Sequence, residues 1–116
     1  MHTAPLSVDG GEVGPVLVAR TFLTRLRGML GRSPLPDAML LVPCTSVHGA
    51  GMRASLDVAF LARDGSALRV APLHPWRALS AARGTRAVLE APLGTFERWG
   101  LRAGSVVTVP GVLDAR

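Results

Sequence analysis

The sequence predicts a mainly β (α+β) domain, one small antiparallel β-barrel or sandwich of about seven strands with two short flanking helices. Three observations predict it. Apolar runs of four to seven residues recur along the chain, the length of strands rather than helices. Gly, Pro and Asp-Gly signals stand between them. Only two segments carry helical spacing, too few to supply the crossovers of a parallel sheet. The 116 residues suit one compact domain, and no repeat of roughly 20–50 residues is visible.

Residues 1–14 are Gly-rich and weakly patterned, and they read as a flexible lead-in to a β-rich domain over 15–110, with 111–116 as a tail. "VLVA" at 16–19 is the first strand. Thr21 then caps a helix over about 22–31, where Leu23, Leu26 and Leu30 share one face and Gly31 and Pro34 end it. "AMLLV" at 38–42 is a buried strand, and Pro43, Gly49 and Gly51 break the next one into an irregular stretch over 45–53. "LDVAFLA" at 56–62 is apolar on both faces and so central in its sheet. The Asp-Gly of "RDGS" turns the chain into a hairpin with "ALRVAPL" at 67–73. A loop spans 74–85, a strand 86–91, and a short helix follows, capped by Thr95 and ended by Gly100. Phe96 and Trp99 of that helix should plug one end of the barrel or sandwich, and "SVVTV" at 105–109 closes the sheet.

Composition narrows the function classes. One cysteine makes no internal disulfide, and no signal peptide or membrane span is visible, so a cytoplasmic monomer is expected. The net charge of +5 invites nucleic acid, but all thirteen basic residues are Arg and they are scattered. Lys, Ile, Asn and Tyr are missing, as in a GC-rich bacterial genome, so nucleic-acid binding is not expected.

Three segments in order resemble a known family. "RTFLTRLRGMLGRSPLP" resembles its helix, "MLLVPCTSVHGAGMRASLDVAFLARDG" its central segment and "AVLEAPLGTFERWGLRAGS" its closing segment. The family is the one called domain of unknown function 192, and the resemblance spans roughly 17–109. It implies a small β-rich fold with a flanking helix and no particular activity. This chain departs from the commoner pattern. Arg53-Ala54-Ser55 stand where many members carry Lys-Asn-Thr, and Gly104-Ser105 where many carry Gly-Asp. Many members are exported, and here no leader is read.

The chemistry-bearing residues gather between Cys44 and Phe60 and at Glu90. Cys44, His48 and Met52 fall at steps of four, but a copper or zinc centre would lack a further ligand, so no metal and no cofactor is expected. The bland reading makes Cys44 and Met52 core fillers. Asp57 opens an apolar strand and Glu90 closes one, and a carboxylate beside a core needs donors. Arg53, Arg25 or Arg77 could supply them, or backbone amides. The candidate ligand-binding set is therefore His48, Arg53, Asp57, Arg25, Arg77 and Glu90. The resulting expectation is a binding or accessory module for a small polar or anionic ligand or a partner protein. The alternative is a small hydrolase- or transferase-type enzyme using His48 with Cys44 or Asp57.

Overall fold

The structure, a computed structural model, describes residues 2–21, 29, 37–44, 46–49 and 52–114. Its strands are β1 His2–Val8, β2 Gly11–Ala19, β3 Met39–Leu41, β4 Ser46–His48, β5 Leu56–Leu61, β6 Ala67–Leu73, β7 Ala78–Ser80, β8 Ala87–Pro92 and β9 Val107–Thr108. One short helix, α1 Thr95–Trp99, is present among the described residues. The helix expected over 22–31 lies outside them, as does Arg25.

Seven strands form one sheet in the order β6-β5-β8-β3-β2-β1-β9. Its two ends meet: the Ala67 amide donates to Ser105 O (2.8 Å) and the Val107 amide to Gly65 O (2.9 Å). The sheet thus curls back on itself, which shields its edge strands. Gly65 is required there, because it holds φ 92° and a Cβ would collide with the Val107 carbonyl.

Several expectations change. The sheet is mixed rather than antiparallel, because β2 and β3 run parallel. The connection explains it: residues 20–38 separate the two strands, longer than the dozen or so that a crossover needs. Residues 2–8 are a paired strand rather than a lead-in. Asp9 (φ 51°) and Gly10 (φ 86°) turn β1 into β2, the two positive φ values of a tight hairpin. The Asp9 carboxylate accepts the Val106 amide (2.8 Å), fastening that turn beside β9. The irregular 45–53 strand reduces to β4, which leaves the main sheet and pairs with β7 inside the expected 74–85 loop. The 111–116 tail folds back at least to Leu113, which is 1% exposed and bonds to Val109.

Side chains alternate between two apolar clusters, one on each face of the sheet. The first draws on all seven strands, through Leu6, Val16, Leu40, Ala59, Ala67, Leu89 and Val107, and is closed by Phe96 and Leu101. The second holds Met39, Leu41, Val58, Phe60 and Val88, covered by Met29, Val47 and Met52. Each fully buried Leu or Phe contributes roughly 1.5–3 kcal/mol. Arg69 ties the layers together: its guanidinium lies 5.8 Å from the centre of the Phe60 ring and donates to Ser80 O of β7 (2.6 Å). β5 and β8 are buried on both faces, as the apolar residues on both faces of 56–62 predict for β5.

Candidate functional site

Glu90 stands in the middle of β8, in register with Met39 of β3 and Val58 of β5. Both neighbours belong to the second cluster, so the glutamate looks into it as well. It is 4% exposed, and Oε1 has no hydrogen-bond partner among the described residues. Buried polar groups are normally paired, and an orphan costs about 1–3 kcal/mol. Burial pushes the pKa up to about 7, against a downward pull from the Met29 backbone amide. The side chain is therefore an acid poised between its neutral and ionised forms near neutral pH, so it is able to donate or accept.

Asp57 is treated differently. It opens β5 in register with Ala91, which lies in the first cluster. Successive residues alternate, so Asp57 and Glu90 point to opposite faces. The half-buried Asp57 carboxylate accepts the Phe96 amide at 3.0 Å. That amide belongs to the first turn of α1, whose own cap position, Gly94, offers no side chain. Thr95, expected as the cap, is the first helical residue and is 3% exposed. Among the described residues the donor that Asp57 meets is a backbone amide and not Arg53; Arg25 lies outside them.

The remaining expected residues lie around one pair of loops. β4 pairs His48 with Ala78, and the Gly49 amide donates to Arg77 O (2.7 Å). The amides of Met52 and Trp76 both donate to Gly49 O (3.0 and 2.8 Å). Gly49 has to be glycine, since a Cβ would strike the His74 carbonyl. Arg53 and Arg77 are exposed, and Trp76 is 75% exposed at φ 61°. Ser55 Oγ and His74 Nδ1 are hydrogen-bonded at 2.7 Å, fastening the start of β5 to this turn. Cys44 is half-buried against the second cluster and in no disulfide. Among the described residues no group of three His, Cys, Asp or Glu could hold a metal.

A cleft of about 270 Å³ lies between the start of β2 and α1. Val13, Pro92, Thr95 and Trp99 line it, together with the charged Asp37 and Arg98. Sequence reasoning missed it because its walls come from four separated segments, and only the Phe96–Trp99 pair at its back carried a signal.

A curled, mixed seven-stranded sheet with a carboxylic acid buried in its central strand is thus the class of protein defined here. The chain belongs to the family domain of unknown function 192, described as "Uncharacterized ACR, COG1430", whose model matches residues 6–109. The match includes part of the first hairpin, which the three quoted segments do not reach. Among relatives, the UPF0127 protein PF1050 of Pyrococcus furiosus is 30% identical over 94 residues, covering 77% of this chain and 81% of its own length. The UPF0127 protein PYRAB11210 of Pyrococcus abyssi is 30% identical over 86 residues, with 70% and 74% covered. The crystal structure of a protein of unknown function from Novosphingobium aromaticivorans superposes with a TM-score of 0.78 at 27% identity, covering 91% of this chain and 84% of the other. Among the described residues no helix is long and apolar enough to cross a membrane.

Proposed function

We propose that this protein is a binding module for a small polar ligand, with Glu90 as the group that recognises it. One observation carries the reading: Glu90 Oε1 is buried without a hydrogen-bond partner among the described residues. A carboxyl in that state is the natural counterpart of an alcohol, amide or amine that reaches the second cluster. Specificity follows from the same cost, since a ligand lacking the polar group leaves the carboxyl unmet. Asp57 lends no support to the enzyme alternative of His48 with Cys44 or Asp57, because its carboxylate is engaged by the Phe96 amide.

The test is a thermal-shift panel of small alcohols, amides and amines on the parent protein and on Glu90→Gln. The expected result is that one class raises the parent's Tm by several degrees, the response to a ligand well above its Kd. Glu90→Gln should respond at least about tenfold more weakly in apparent Kd. A panel without effect, or an equal response from the variant, overturns the reading.

A further inference from the structure

We infer that the cleft between β2 and α1 binds a small zwitterion, with its carboxylate on Arg98, its ammonium on Asp37 and its apolar part against Trp99. The inference is independent of Glu90. Val13 and Trp99 pack against the first cluster, whereas Glu90 looks into the second.

Charge comes first. Asp37 and Arg98 are both exposed and both line the same cleft of about 270 Å³. No ion pair joins them, and neither side chain is engaged by another group among the described residues. Two opposite charges at one small opening, without a partner among the described residues, present complementary ends to a ligand that carries both signs. A guanidinium fork takes a carboxylate through two parallel N–H donors, and a carboxylate takes an ammonium. A simple anion would meet Asp37 as a like charge, and a simple cation would meet Arg98, so each is disfavoured.

Shape and rigidity come next. The volume falls just below the roughly 300 Å³ at which drug-sized sites begin, so it suits a molecule the size of an amino acid. Trp99 stacks on Phe96 with ring centres 5.9 Å apart, which offers a broad apolar wall. Thr95 adds a hydroxyl from a residue that is 3% exposed and lines the same cleft. Asp57, though outside the cleft, is a positioning residue: by holding the Phe96 amide it sets the helix that carries Thr95, Arg98 and Trp99. Sites of this kind work when their side chains stand on a rigid element.

The experiment uses the chain's two tryptophans as reporters. Leucine and phenylalanine, their N-acetyl forms and their amides are titrated into ¹⁵N-labelled protein, and the indole resonances are assigned with Trp76→Phe. Expected is a saturable shift of the Trp99 indole with free amino acids, at a Kd on the order of 1 mM. The Trp76 indole should stay still. Blocking either the amine or the carboxylate should weaken binding at least about tenfold, as should Arg98→Ala or Asp37→Asn. Arg63→Ala, which removes an exposed charge elsewhere, should leave the Kd unchanged. The inference is overturned if Trp99 does not shift up to about 10 mM. It is also overturned if blocked and free ligands bind alike, or if Arg98→Ala and Asp37→Asn bind like the parent.

Discussion

Asp57 and Glu90 sit on adjacent hydrogen-bonded strands, one residue out of register with each other, and the fold treats them oppositely. Asp57 meets a helix amide at a half-buried position and holds the start of α1 against the first cluster. Glu90 is driven into an apolar layer where one of its oxygens goes unmet among the described residues. The difference teaches that a carboxylate at the margin of a core is structural when a rigid donor is aimed at it. When one of its oxygens stays buried and unmet, the residue is held at a cost to stability, and such residues gather where a protein binds or reacts.

The helix that Asp57 holds gives the largest expected effect. Phe96 is 3% exposed and belongs to the first cluster. Phe96→Ala should therefore lose about 3–5 kcal/mol, as large-to-small core changes do. Urea denaturation at neutral pH measures it. A loss below about 1 kcal/mol would mean that α1 is a surface appendage, and the contrast with Glu90 would collapse.

Next in size is the pH response of the other region. The folded pKa of Glu90 is about 7, above its ordinary value of 4.5. Between those values the folded chain holds a proton that the unfolded chain has released. The contribution of Glu90 to stability is therefore greatest below about 4.5, falls as pH rises toward about 7, and levels off above it. The drop should be roughly 3 kcal/mol, from a shift of about two and a half pH units. Glu90→Gln should remove it. Denaturation of both proteins at pH 5 and pH 8 sharpens the comparison, and a drop that persists in Glu90→Gln assigns it to another group.

The smallest effect belongs to the satisfied carboxylate. Asp57→Ala should destabilise by about 1–2 kcal/mol, the range for losing a side-chain acceptor at a helix start. Asp57→Asn, which keeps an acceptor oxygen, should lose less. Hydrogen exchange at the Phe96 amide reads the bond directly. Unchanged protection in Asp57→Ala would show that the carboxylate does not hold α1.

Part of the fold was legible in the chain. The hairpin at 63–66, the central strand 56–62, the strand 86–91 and the inward Phe96 follow from turn chemistry and short, mostly apolar runs, both local signals. The first hairpin carried the same kind of signal at Asp9-Gly10, but Gly and Pro within β1 and β2 obscured the alternation around it. β7 is three residues long, and two of them are exposed, so little in its sequence marked it as a strand.

The sequence by itself determined a β-rich chain, a family, and the positions where acids meet apolar strands. Only the tertiary structure decided the parallel β2–β3 pair, the transfer of β4 to a second sheet and the cleft beside α1. It also decided which acid keeps a buried oxygen unmet among the described residues. Both acids read alike in sequence, and the donor that separates them, the Phe96 amide, lies 39 residues from Asp57. The physical reason is that strand periodicity is local and assigns a side chain to a face, whereas the donors and walls on that face come from distant segments that pairing and curling bring together.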